Sequence, residues 1–262
     1  MTELGIQFND GVAYERMMGR WSRLAGDTFI DWLAVESGLR WVDVGCGNGA
    51  FTQAVMERCA PSSVEGIDPS PGQLEYALTR SGTSLAQFQQ GDAMSLPLDD
   101  DSVDVAAMAL AIFFVPDPAK GVAEMQRVVV PGGTVAAYAW DILGGGFPLN
   151  ALQEELRAMG LSPPLPPSVE ASRLGAMQEL WVNSGLVEVE VSEITVERSF
   201  TDFDDLWETS RLGASVGSII ASMAQRDVDA LKQRLKAQFP VRGDGSIAYT
   251  SRANAVKGRV SE

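Results

Sequence analysis

Unbroken hydrophobic runs alternate along this chain with segments whose apolar residues recur at helical spacing. Trp41, Val42 and Val44 form the kind of run that a strand covered on both faces carries, and residues 51–58 follow with the apolar pattern of a helix. The same reading predicts strands over 64–68, 86–90, 103–109 and 134–140, with helical segments over 73–79 and 118–128. That order predicts an α/β, doubly wound, mostly parallel sheet with helices on both faces. Residues 1–38 read as helices ahead of the sheet, with Tyr14, Met17, Met18, Trp21 and Leu24 spaced as a packing face. Beyond the glycine-rich break at 141–148, helices are expected over 149–159 and 171–184. Between them the proline-rich stretch 162–167 is stiff, serving as a lid hinge or, by preference, as a plain surface connection. Strict alternation over 187–191 and much of 194–200 predicts a strand exposed on one face; 203–239 reads as helical and 247–255 as a strand.

The most informative chemistry sits at the end of the first predicted strand, where Asp43 is followed by glycines at 45, 47 and 49. Glycines there remove the Cβ atoms that would hold a ligand away from the turn. The spacing Gly45-x-Gly47-x-x-Ala50 also satisfies the looser dinucleotide fingerprint, so alone it does not identify the ligand. Asp68 ends the next strand about 20 residues on, where an acid can accept both ribose hydroxyls; dinucleotide enzymes place an acid similarly. Ser70 before Pro71 reads as a helix N-cap, which leaves Asp68 free at the strand tip. Two further blocks follow: Gly91-Asp92-Ala93-Met94-Ser95-Leu96-Pro97 running into an acidic stretch, and Arg127-Val128-Val129-Val130-Pro131-Gly132-Gly133.

With these four blocks in order between Arg40 and Asp141, the chain resembles the class I S-adenosylmethionine-dependent methyltransferases, in particular their small-molecule, type 11-like branch. The resemblance implies a Rossmann-like, seven-stranded sheet with an antiparallel final strand and a helical substrate-side insertion. It divides the chain into a helical cap (1–38), a cofactor-binding core (39–141) and the remainder of the same domain (142–262), with the insertion at about 201–240. It also implies that the backbone of Gly45 and Gly47, with Cys46 between them, lies against the methionine part of the cofactor, and that Asp43 orients the glycine turn. Asp68 would hold the ribose, flanked by Pro69 and Ser70; Asp92, Ala93 and neighbouring Met94 would meet the adenine; the Leu110 carbonyl would face the ammonium. Carboxylates accept and ribose hydroxyls and amines donate, so the pairing is chemically consistent. A helix placed like the N-terminal one often closes over the cofactor in such enzymes. Tyr14 and either Arg20 or Arg23, with Arg20 preferred, are then candidates for the cofactor's carboxylate.

The chain departs from its relatives where many carry paired histidines: it has Phe113-Phe114, and no histidine anywhere. A histidine base is excluded; the two rings are either core or lining, and their place past a strand's carboxyl end favours lining. Phe113, Phe114, Trp140 and Trp207 are therefore the substrate-side candidates, with Leu212, Ile219, Ile220 and Met223 as further apolar wall. Asp202, Asp204 and Asp205 read as capping and first-turn acids. No catalytic acid or base is assigned, Tyr14 being the weak exception, since methyl transfer is mainly a matter of positioning.

Charge and cysteines narrow the classes that remain. With 20 basic against 35 acidic residues and a net charge of −15, docking on a phosphate backbone is disfavoured, so no nucleic-acid partner is expected. No apolar run reaches the ~18 residues of a membrane span and no signal peptide is evident, so a cytoplasmic protein without membrane association is expected. Cys46 and Cys59 have neither metal-ligand spacing nor a base partner, so no metal and no thiol nucleophile are expected. The expected activity is methyl transfer to a small, partly apolar acceptor at O, N or C. The alternatives are a non-catalytic, cofactor-binding regulatory protein and, less favoured, a nicotinamide-dependent oxidoreductase.

Overall fold

A computed structural model describes residues 15–83 and 85–262. Seven strands, β1 (Arg40–Val44), β2 (Ser63–Asp68), β3 (Ala86–Gln90), β4 (Val103–Ala109), β5 (Val129–Trp140), β6 (Val187–Phe200) and β7 (Ile247–Arg259), form one sheet in the order β3-β2-β1-β4-β5-β7-β6. Strands β1 to β5 run parallel, and β7 runs antiparallel to both β5 and β6. This is the Rossmann-like, doubly wound sheet with a reversed final strand that the sequence pattern and its resemblance imply. Strand order reverses between β1 and β4, which opens a crevice above their carboxyl ends.

Burial explains why the central strands read as continuous hydrophobic runs. Val42, Val44, Val105, Ala106, Val135 and Ala136 are all fully enclosed, each larger side chain contributing about 1.5–3 kcal/mol by leaving water. Helix α1 (Arg20–Leu33) lays Trp21, Ala25, Phe29, Ile30 and Leu33 against the sheet. It packs on α2 (Ala50–Cys59) through Phe29 and Phe51, whose rings lie 5.9 Å apart. Helix α3 (Pro71–Thr79) follows β2, and α4 (Pro118–Val128), capped by Asp117 accepting from the Lys120 amide, follows β4. Helices α5 (Asn150–Ala158) and α6 (Leu174–Asn183) come next. The 203–239 stretch resolves into α7 (Phe203–Ser210), α8 (Gly217–Ser222) and α9 (Gln225–Lys236), all inserted between β6 and β7.

Pairing lengthens several elements beyond their sequence pattern. Strand β5 begins at Val129 rather than 134, because its register against β4 shifts between Val103 and Val105 and absorbs the Pro131-Gly132-Gly133 turn. Two alternating segments fuse into β6 with a bulge near its start, where Glu188 takes φ 51°. Strand β7 runs on to Arg259, held by β5 through Thr134. Asp202 caps α7 by accepting from the Asp205 amide, as its position predicts. Ser70 sits at the N-cap position of α3 but its hydroxyl makes no capping bond. Among the described residues no helix is long and apolar enough to cross a membrane.

Candidate functional site

A cavity of about 580 Å³ opens at the carboxyl ends of β1, β2, β3, β4 and β5. Its floor is the glycine turn. Gly45 and Cys46 donate their amides to the Ile67 carbonyl at 2.7 and 3.1 Å, which folds the turn back over β2. A Cβ on Gly45 would lie 2.6 Å from that of Ala111, whereas one on Gly47 (φ +51°) would meet nothing within 4 Å. Gly45 is thus required for packing, and Gly47 leaves its backbone bare towards open space.

Two acids flank this turn in different states of satisfaction. Asp68, half-buried at the tip of β2, accepts from the Gly47 amide through Oδ2 and the Ser70 amide through Oδ1, both at 2.9 Å. Burial pushes its carboxyl pKa up, and these two amides oppose that rise. Asp43, enclosed at 1% exposure, accepts the Thr52 hydroxyl of α2 at 2.6 Å through Oδ2. Its Oδ1 is buried with no partner among the described residues. The Asp43 carboxyl is pushed up to about 7, chiefly by burial, with the nearby charge of Asp68 adding to it and the Thr52 hydrogen bonds opposing it. Asp43 therefore anchors the helix after the turn, while Asp68 holds the turn itself. Burial, reinforced by both acids, also drives the Cys46 thiol far upward, keeping it protonated and a poor nucleophile.

Asp43, Gly45, Cys46, Gly47, Asp68, Pro69, Ser70, Asp92, Ala93 and Leu110 all line the cavity. Leu110 ends β4 in the left-handed region at φ 57° with its amide donating to Tyr138 O, a conformation that costs a β-sheet leucine about 1–2 kcal/mol and turns the backbone towards the crevice. Met94 lies outside the lining; its amide instead donates to Asp92 Oδ1 at 2.8 Å. Arg20 is exposed and away from the cavity, so the preference for it over Arg23 does not match the placement: Arg23 lines the wall, its guanidinium held by Asp27 at 2.9 Å and Glu57 at 2.7 Å. They are three residues apart, roughly 60° around the helix, and how α1 docks on the sheet decides which of them faces the cavity. Tyr14 lies outside the described residues.

A narrower, mostly apolar pocket adjoins the cavity and shares Leu110 and Phe114 with it. Phe113 and Phe114, edge to face at 4.7 Å, line it with Trp140. Trp207 does not: it is buried inside the helical insertion beneath Lys232, whose ammonium lies 5.9 Å from its ring. A third cavity, about 550 Å³, lies at the opposite end of the strands among Leu39, Gly132 and Arg259. Lys257 pairs there with Glu190, Arg259 with Glu188, and Asp104 with Arg40 behind the lining.

Several lining residues had no signal in the sequence. The π-helical turn Glu15–Gly19 reaches over the cavity, and Glu15 Oε2 there meets Arg80 Nη2 at 2.9 Å and Asn48 Nδ2 at 3.3 Å. Arg80 donates also to the Asn48 carbonyl and to Gln53, so one guanidinium joins the N-terminal turn, the glycine turn and α2. Arg198, on β6, donates to the carbonyls of Met17 and Arg16 and lies 4.6 Å over the Phe200 ring, with no ion pair among the described residues. Burial, then repulsion from Arg20, lowers its pKa. These hydrogen bonds join residues from 27 to 182 positions apart, and no local pattern announces them.

A bare glycine turn, acids at the tips of β1 and β2, and an apolar pocket beyond β4 thus share one end of the 3-2-1-4-5-7-6 sheet. Residues 42–137 match the methyltransferase domain family. The chain is 39% identical over 95 residues to 2-methyl-6-phytyl-1,4-hydroquinone methyltransferase 2, chloroplastic, of Oryza sativa subsp. japonica, covering 36% of this chain and 27% of that one. It is 35% identical over 140 residues to an uncharacterized methyltransferase of Mycobacterium bovis, covering 53% and 54%. The chain thus spans about a quarter of the first and half of the second. In fold it resembles phosphoethanolamine N-methyltransferase 2 of Haemonchus contortus, solved in complex with S-adenosyl-L-methionine, with TM-score 0.59 and 19% identity over 96% of this chain and 56% of that one.

Proposed function

We propose that this chain transfers a methyl group from S-adenosylmethionine to a small, largely apolar acceptor. The observation that carries this reading is the adjacency of the two spaces: a cavity bearing the acids around the glycine turn shares Leu110 and Phe114 with an apolar pocket. The residues fit the cofactor. Gly47 leaves a face that a Cβ would occupy, and Asp43 Oδ1 is an orphaned buried acceptor suited to an ammonium donor. Asp68 retains lone pairs for ribose hydroxyls after accepting two amides, and Asp92 stands beside it for the adenine amino group.

When bound, the cofactor supplies a methyl carbon on a sulfonium, a leaving group that needs no protonation. What the chain adds is alignment and exclusion of water. Phe113 and Phe114 close one side of the acceptor pocket, Met17 and Met18 another, and holding two reactants in line is worth roughly 7–11 kcal/mol in favourable cases. No side chain is assigned as an essential acid or base; a proton lost by an O or N acceptor passes to water.

Calorimetry with S-adenosylhomocysteine, followed by a methyl-release assay across phenolic, amine and carbon acceptors, tests the reading. Micromolar binding with turnover on at least one apolar acceptor is expected. Absence of binding would overturn the assignment, and binding without turnover on any acceptor would favour a regulatory module.

The N-terminal turn gives a smaller prediction. Arg198→Met removes two hydrogen bonds that hold Arg16 and Met17 but keeps an apolar stem. Because an unpaired buried charge is itself destabilising, the melting temperature should change little. Affinity for S-adenosylhomocysteine should fall about three- to tenfold as the turn loosens over the cavity. An unchanged dissociation constant would show that the turn does not contribute to binding.

A further inference from the structure

The acceptor pocket is apolar on most sides, formed by Phe113, Phe114, Trp140, Ile142, Phe147 and Leu149, but it has one polar corner. Two of its lining side chains, Gln153 and Ser215, are 3% and 6% exposed. Their hydrogen bonds run in one direction. Arg157 can only donate, and its Nη2 donates to Gln153 Oε1 at 3.1 Å, which fixes the amide so that Nε2 donates to Ser215 Oγ, also at 3.1 Å. The amide oxygen thereby has one lone pair engaged, and the Ser215 hydroxyl proton is left without an acceptor among the described residues. Trp140, at 2% exposure, contributes a second donor: its indole Nε1 is buried with no partner among the described residues. No charged side chain lines the pocket.

From this polarity we infer, building on the methyl-transfer reading, that the acceptor is a neutral, largely apolar molecule bearing a carbonyl-type oxygen, held by the Ser215 hydroxyl and the Trp140 indole N–H. A ligand oxygen that only accepts satisfies both donors. A ligand group that only donates can reach a remaining lone pair of Gln153 Oε1 or Ser215 Oγ but leaves the Trp140 indole N–H unmet. A carboxylate or ammonium would be stripped of water with no counter-charge to meet it, which buried sites disfavour. Leaving a buried donor unmet is penalised more than forming a neutral hydrogen bond is rewarded, so the corner discriminates chiefly by rejecting molecules that lack the oxygen. Gln153 is a positioning residue here, acting through Ser215.

The test uses the full chain saturated with S-adenosylhomocysteine and three fluorinated probes followed by ¹⁹F NMR: 4′-fluoroacetophenone, its ketone-free counterpart 1-ethyl-4-fluorobenzene, and 4-fluorobenzoate. Wild type should bind the ketone about tenfold more tightly than the hydrocarbon and the benzoate more weakly than either. Ser215→Ala and Trp140→Phe should each reduce the ketone preference at least threefold while the dissociation constant for S-adenosylhomocysteine stays within twofold. Ser215→Ala removes a single oxygen atom, so it keeps the test valid if the tryptophan variant folds poorly. Equal binding of ketone and hydrocarbon by wild type, tightest binding of the benzoate, failure of all three to bind, or an undiminished preference in both variants would each overturn the inference while leaving methyl transfer intact. Failure of S-adenosylhomocysteine itself to bind would remove the underlying reading as well.

Discussion

Asp68→Asn is expected to weaken binding of S-adenosylhomocysteine about a hundredfold, or ~3 kcal/mol. Both oxygens of the wild-type carboxylate accept backbone amides, Gly47 on one side and Ser70 on the other. An asparagine can satisfy only one, because its nitrogen would point a donor at a donor. Loss of the charged acceptor for the ribose hydroxyls accounts for most of the lost affinity, and the half-buried amide left unsatisfied, a cost of about 1–3 kcal/mol to the fold, lets the turn leave its binding position. The free protein should also melt a few degrees lower, since Gly47 loses its tether. Calorimetry and differential scanning fluorimetry on the purified variant check both effects; an affinity within threefold of wild type would remove Asp68 from the binding role proposed for it.

Asp43→Asn should do two opposite things. In the folded chain this carboxyl titrates near 7 instead of 3.8, mainly because it is buried. Between those pH values the native state holds a proton that the unfolded chain has released, so the empty protein loses stability as pH rises through that window and levels off above about 7. Asparagine can still accept from Thr52 and carries no charge, so the variant should be more stable than wild type at pH 8, on the order of 3 kcal/mol. The gain should shrink steadily towards pH 4. Binding should move the other way. An ammonium group beside Asp43 favours its ionised form, so wild-type affinity for S-adenosylhomocysteine should rise between pH 6 and 8. In the variant that rise should disappear and affinity at pH 8 should drop about thirtyfold. Thermal melts and calorimetry at matched pH would separate the two effects, and a variant no more stable than wild type at pH 8 would mean that Asp43 is ionised without strain. A strained buried acid that weakens the empty fold yet serves the ligand is a common trade at functional sites.

Much of the site was legible because its backbone parts are local. Gly45, Gly47 and Asp68 lie within one strand–turn–helix–strand unit, and a bare turn followed by an acid about 20 residues later is a pattern that short-range geometry imposes. The strand range 103–109 was read to the residue, since near-continuous burial writes itself into composition, and 86–90 was read to the residue although its residues are only half-buried or exposed. Side chains arriving from elsewhere were harder. Trp207 has the same helical apolar spacing whether it faces a ligand or the inside of the insertion, and it faces the inside. Arg20 and Arg23 differ only in helix phase, and no property of either residue reveals which one the docked helix turns inward.

The chain's own order of apolar runs, glycines and acids was enough to determine a doubly wound sheet with its ligand crevice above β1 and β4, because periodicity and turn chemistry act over a few residues at a time. Only the folded molecule decided that Arg80 joins Glu15 to the glycine turn, that Arg198 grips the backbone at Arg16 and Met17, and that Gln153 and Ser215 form a polar corner in an apolar pocket. Those contacts depend on how helices and distant strands settle on one another. A polar side chain's partner is chosen by that packing, and its neighbours in sequence carry no record of it.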